Sequence, residues 1–216
     1  MVLARDSHDK RAYLDNLGYF AEWGGRSWHA LLREAFRDFI GEDLTGQRVL
    51  DIGTRYGKMS CLFALLGAEV VGIDINGHSL KIAQSEAVHW AVTDRVLFVR
   101  YDGSLDIFAS CSFDLVFTKS VLVLIENLDE FLQQISSKLR PAGKAVFLEN
   151  GKGSSLLHGL RRFRHRRWNY SQANYFTESQ IAQIRGVFDV HLVKKTLWPP
   201  VYLVCGHNKR SMMGSQ

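Results

Sequence analysis

Three acids and two glycines carry the most legible chemistry in this sequence. Asp51, Gly53, Thr54 and Gly57 fall within VLDIGTRYGKMS, residues 49–60. An apolar run that ends in a glycine-bearing turn and opens into a helical stretch presents unpaired amides and the positive end of a helix dipole to a ligand. Glycine there admits unusual dihedrals and close approach. Asp74 closes the next apolar run, EVVGID. It lies about 20 residues past the turn, where an acid in a nucleotide-binding fold accepts from ribose hydroxyls. Asp102 and Gly103 follow a third run, VLFVRY, and the stretches 71–75 (Val71 to Ile75) and 97–101 offer apolar walls for a flat base.

Spacing alone admits a dinucleotide. The loop nevertheless lacks a tight GxGxxG, and Asp51 puts a carboxylate where a pyrophosphate needs amides and open space. In a partly desolvated site that carboxylate repels a pyrophosphate and attracts a ligand bearing sulfonium and ammonium groups. Each acid also has a structural reading. Asp51 can bond loop amides, Asp74 can cap the next helix in competition with Asn76, and Asp102 can be a turn residue before Gly103.

The ordered set resembles the class I S-adenosylmethionine-dependent methyltransferases, whose first motif reads roughly D or E, x, G, x, G, x, G. Asp51, Gly53 and Gly57 fit it, and Arg55 stands where the middle glycine is usual. The resemblance covers residues 45–150 and continues through VVGIDIN, RYDG, FDLVFTKSVLVLI and LRPAGKAVFLEN. It implies S-adenosyl-L-methionine as cofactor, with Asp74 on the ribose and Asp102 near the adenine amine. Asp51, Gly53, Thr54, Gly57, Ile75, Gly103 and Lys119 join them as candidate cofactor-binding residues.

Methyl transfer of this kind needs alignment and exclusion of water more than a covalent intermediate. No His/Asp/Glu cluster calls for a metal. Many members carry histidines after the fourth strand, in a pattern like SxLHH; here Ser120 to Leu124 reads SVLVL and supplies no imidazole. A base, where the acceptor needs one, then has to come from elsewhere. Candidates are Glu149 at the exit of the fifth strand and His158, His165 and Tyr170 in the connection after it, with Tyr175 nearby. The competing readings are a structural carboxylate, exposed histidines of a basic segment, and tyrosines that pack its return. Lys119 either neutralises the cofactor carboxylate or an acidic acceptor, or is a solvated loop lysine.

The elements that position these groups follow from periodicity. Residues 1–44 read as a helical lid, with Tyr13, Leu14, Leu17 and Phe20 in one group, and Leu31, Leu32, Ala35, Phe36, Phe39 and Ile40 in a second. Gly24 and Gly25 separate the groups, Ser27 is the expected cap of the second helix, and Tyr19 or Trp23 is placed to touch a ligand. Residues 45–207 then alternate short strands with helices. This predicts an α/β fold: a Rossmann-like three-layer sandwich with a mostly parallel seven-stranded sheet. Strands are expected from Val49, Glu69, Val96, Phe113 and Lys144. After a helix with a Thr177/Gln180 capping box, Phe188 to Val193 and Val201 to Cys205 form an antiparallel C-terminal hairpin. Residues 208–216 read as a flexible tail.

The 216 residues, 46% of them hydrophobic, suffice for one substantial core. Of the 27 Lys and Arg, five arginines lie between Arg161 and Arg167, leaving 22 against 22 acids elsewhere. The positive balance is therefore local, which weighs against a general nucleic-acid surface. Arginines interleaved with Phe163, Trp168 and Tyr170 suit an anionic or sugar-containing small-molecule acceptor, so residues 150–176 are read as the acceptor-recognition segment. A solvated helix, single-stranded RNA or an anionic membrane surface are the competing uses. Cys61, Cys111 and Cys205 are far apart and read as reduced core or near-core thiols. With no signal-peptide pattern and no transmembrane run, the expected compartment is the cytoplasm.

Overall fold

The computed structural model describes residues 10–22, 25–151, 175–197 and 199–210. Its strands are β1 (Arg48–Ile52), β2 (Glu69–Asp74), β3 (Val96–Arg100), β4 (Phe113–Lys119), β5 (Leu139–Asn150), β6 (Phe188–Lys195) and β7 (Val201–Asn208). They form one sheet in the order β3-β2-β1-β4-β5-β7-β6. The first five are parallel to one another, and β7 pairs antiparallel with both β5 and β6. Parallel neighbours require crossovers, and these are the helices α4 (Lys58–Leu65), α5 (Gly77–His89) and α6 (Leu128–Lys138). The last pair needs only a short turn because it is antiparallel.

The period of two along each strand divides the core. Val49, Leu115, Phe117, Val146, Leu148, Leu203 and Cys205 face one layer of helices. Their neighbours Leu50, Val116, Ala145, Phe147, Tyr202 and Val204 face the other. The first layer holds α1 (Lys10–Asp15), α2 (Leu17–Phe20) and α3 (Arg26–Ala35) together with α4. The second holds α6 and α7 (Glu178–Val187), which buries Ile181 and Ile184. Phe63 of α4 lies between Phe36 and Phe117, with ring centroids 6.0 and 5.3 Å away. The N-terminal helices are thus cemented into the main core, and the turn after Phe20 brings Ala21 and Glu22 to the sheet's carboxyl edge.

Local signals hold at α7, where Thr177 and Gln180 form the expected capping box. Asn76 caps α5, accepting from His78 and Ser79, so Asp74 is free of that duty. Three expectations are corrected. Gly25, not Ser27, precedes α3, and no side chain accepts at its cap. β5 begins at Leu139 rather than Lys144, because Leu139 pairs with Phe113 across a register shift in the β4 ladder. Cys61 and Cys205 are buried, but Cys111 is exposed. Among the described residues no helix is long and apolar enough to cross a membrane.

Candidate cofactor site at the sheet's switch point

Strand order reverses between β1 and β4, and the loops leaving these two strands bound a crevice at their carboxyl ends, where doubly wound sheets place ligands. The loop after β1 is built from left-handed residues: Gly53 at φ +73°, Arg55 at +54° and Gly57 at +78°. Arg55 adopts the conformation that a glycine would take, so its side chain leaves the turn intact, although a non-glycine pays about 1–2 kcal/mol there. The amides of Gly53 and Thr54 both donate to the Ile73 carbonyl, at 2.8 and 2.9 Å. Gly53 is also closed in from outside: a Cβ on it would lie 2.4 Å from Val121 Cγ2.

Asp51 is buried beneath this loop. Ser60 Oγ donates to its Oδ2 at 2.6 Å, and Thr54 Oγ1 lies 2.7 Å from Ser60 Oγ. Burial pushes the Asp51 carboxyl up to about 6, against the opposing effect of these hydroxyls. Asp74, one strand over, accepts from the Arg55 amide on Oδ2 at 2.9 Å and from the Asn76 amide on Oδ1 at 2.8 Å. Each of its oxygens keeps a lone pair for another donor. Ile75 beside it is 62% exposed, a bare apolar surface at the end of β2, and its carbonyl accepts from Arg100 Nε at 3.2 Å. Asp102 closes a turn by accepting from the Ser104 amide at 3.0 Å, with Gly103 between them at φ +109°. Both Asp102 and Gly103 are exposed.

Lys119 ends β4 and turns toward the N-terminal helices. Its Nζ donates to the Ala21 carbonyl and lies 5.2 Å from the centre of the Trp28 ring. Burial lowers this ammonium to about 7, only partly offset by Glu22. Sequence reasoning missed Glu22, Ser60 and Val121. Ser60 is a hydroxyl in the first turn of the helix that follows the glycine turn, whereas nothing local marks the other two.

Two proposed site residues turn out to be engaged elsewhere. Tyr19 donates from its hydroxyl to Glu86 Oε1, and its ring packs edge-on against Trp90 with centroids 5.6 Å apart. It faces α5 rather than the crevice. Glu149 is fully buried: its Oε1 accepts from Thr118 Oγ1 and from the Val121 and Leu122 amides, each at 3.1 Å. That carboxylate holds the loop after β4, including the short 3-10 turn Leu122–Leu124, through Oε1, while its Oε2 is buried with no hydrogen-bond partner among the described residues. His158, His165, Tyr170, Trp23 and the arginines 161–167 lie outside the described residues. Of the described residues on either side of 152–174, Gly151 and Phe176 form a bridge just beyond β5.

A sheet of this order, with acids ending β1 and β2 around a left-handed turn, defines a Rossmann-like nucleoside-binding fold of the methyltransferase type. A family model described as "Methyltransferase domain" matches residues 50–147. Residues 50–147 thus match the methyltransferase-domain family, on the fold of the class I S-adenosylmethionine-dependent methyltransferases. The chain is 33% identical over 116 residues to a mitochondrial ubiquinone biosynthesis O-methyltransferase of Rattus norvegicus, covering 52% of this chain and 33% of that protein. It is 32% identical over 163 residues to phosphoethanolamine N-methyltransferase 2 of Caenorhabditis elegans, covering 70% of this chain and 36% of that one. The matched stretches thus span only about a third of those relatives. Among solved structures, N-methyltransferase NodS of Bradyrhizobium japonicum, in complex with S-adenosyl-L-homocysteine, superposes with a TM-score of 0.64 at 17% identity, covering 85% of this chain and 86% of that one.

The donor set fits the family's cofactor. A free lone pair on each Asp74 oxygen suits a ribose diol, exposed Ile75 suits a purine face, and the acid Asp51 suits a cationic sulfur. Glu22 adds a buried oxygen, Oε1, with no hydrogen-bond partner among the described residues. Among those residues no group of three or more His, Cys, Asp or Glu could hold a metal ion.

Proposed function

We propose that this chain transfers the methyl group of S-adenosylmethionine to a small-molecule acceptor. The observation that carries the reading is the placement of buried Asp51 and of Asp74 on either side of one left-handed turn, whose Arg55 amide donates to Asp74 while Ser60 donates to Asp51. S-adenosylmethionine, when bound, supplies a methyl group already activated on a cationic sulfur. The residues of this chain then bind, orient and exclude water. Asp74 holds the ribose hydroxyls, Ile75 packs the base, and Asp102 takes its amine edge. Asp51 fixes the loop through Ser60 and Thr54 and adds negative potential beneath the cationic centre. Glu149 and Val121 close the opposite wall, which restricts water at the reacting atoms.

The finer proposal is an anionic or sugar-containing acceptor. It is supported by the five arginines of residues 161–167, which fall in the sequence between Gly151 and Phe176, two residues that form a bridge at the β5 exit. The relatives named as a ubiquinone biosynthesis O-methyltransferase and a phosphoethanolamine N-methyltransferase add small metabolites as a class. His158, His165 and Tyr170 remain the candidates for a base, where the acceptor needs one.

Calorimetry with S-adenosylmethionine, S-adenosylhomocysteine and NAD tests the cofactor assignment, and binding of NAD with neither sulfur ligand would overturn it. Incubation of methyl-labelled cofactor with a metabolite extract tests the acceptor class. Labelled product that is sensitive to RNase or protease would point to a macromolecule instead. Replacing the five arginines by glutamine is expected to raise KM for the acceptor and leave cofactor affinity unchanged.

A further inference from the structure

Glu22 stands where the N-terminal helices meet the sheet's carboxyl edge, and no motif of the sequence marks it. Its backbone is left-handed, at φ +58°, a conformation that non-glycine residues seldom adopt without a structural reason. Only 12% of its side chain is exposed, and Oε2 lies 3.7 Å from Arg55 Nη1. Oε1 is buried and has no hydrogen-bond partner among the described residues. Burial pushes the carboxyl above its usual range, while Arg55, Lys119 and Lys58 favour the charged form and Asp51 opposes it. The neighbouring Ala21 carbonyl accepts from Lys119, which fixes the segment against the end of β4.

Glu22, Arg55 and Lys119 therefore converge between the turn after β1 and the N-terminal helices, with Lys58 and Asp51 in electrostatic reach. Asp74 marks the ribose side of that turn. The opposite side has to receive whatever extends from the sulfur, and the cluster offers both signs of charge there. An α-amino acid carries an ammonium and a carboxylate on a single carbon, which fits one acid flanked by two cations. An orphaned carboxylate oxygen is costly unless a donor reaches it. Arg55, the departure from the usual glycine, gains a use by holding Glu22 from across the turn.

We propose that Glu22 binds the ammonium of the cofactor's amino-acid end, with Arg55 and Lys119 facing its carboxylate. This inference rests on the S-adenosylmethionine reading above. It makes the junction at residues 21–22 part of the cofactor site, so the N-terminal helices contribute a charge as well as packing.

Calorimetry separates the two claims when wild type, Glu22→Gln and Glu22→Asp are titrated with S-adenosylhomocysteine and with 5′-methylthioadenosine, which has the same nucleoside and sulfur but no amino-acid end. The expected result is a loss of about tenfold in S-adenosylhomocysteine affinity for Glu22→Gln and a smaller loss for Glu22→Asp, with 5′-methylthioadenosine binding unchanged in both. Equal affinity of wild type and Glu22→Gln for S-adenosylhomocysteine would overturn the role of Glu22 while leaving the cofactor reading intact. Equal losses for the two ligands would overturn it too, as damage to the fold rather than loss of one contact. A wild-type protein that binds neither ligand would overturn both claims. Thermal melts of each variant identify any that fails to fold, and Glu22→Asp, which keeps the charge, then carries the comparison.

Discussion

The backbone amide of Arg55 donates to Asp74 Oδ2 at 2.9 Å, joining the turn after β1 to the end of β2. One carboxylate thereby shapes the loop and keeps lone pairs for a ligand. Asp74→Ala removes both functions. It is expected to weaken cofactor binding by roughly 1–3 kcal/mol in a folded protein, measured by calorimetry with S-adenosylhomocysteine. Unchanged affinity would reject the ribose role.

Gly53 is locked by its left-handed backbone and by Val121. Gly53→Ala places a methyl group 2.4 Å from Val121 Cγ2 and keeps φ at +73°. The expected loss of stability is about 1–3 kcal/mol. Adding Val121→Ala should recover the steric part and leave the backbone part, a non-additivity that a double-mutant cycle in denaturant reads directly. Strict additivity would show that the two residues do not press on one another.

Glu149 gives stability a pH dependence of predictable sign. Burial raises its carboxyl from 4.5 to about 7, against the pull of the amides it accepts from. The folded chain then binds more protons than the unfolded chain between these values. The contribution is fully present below the unfolded value and is lost as pH rises through about 7. Wild type should therefore melt lower at about pH 7.5 than at about pH 5, and Glu149→Gln should show a shallower fall. Asp51, raised to about 6, supplies a residual slope of the same sign. A Glu149→Gln slope equal to that of wild type would contradict this account.

Thr177 and Gln180 close the capping box of α7. Thr177→Ala should lower stability by about 1 kcal/mol, read from urea midpoints, with cofactor affinity unaffected. A midpoint that does not move would mean that packing of Ile181 and Ile184 holds the helix start unaided.

The sequence by itself determined the alternation of strands and helices, the closing hairpin, the capping box, and the order of Asp51, Asp74 and Asp102 along the chain. Those features rest on periods of two and three to four residues and on turn chemistry, all readable within a short window. Tertiary structure alone decided which way the side chains at the sheet's edge are used. Tyr19 passes to Glu86, 67 residues away, and Glu149 reaches back 28 residues to the Val121 amide. Lys119 bonds to Ala21 across 98 residues, bringing Glu22 to the rim with it. No local pattern encodes such pairings, because each is set by how the helical layers settle on the sheet and by which buried polar atoms must find partners once they do.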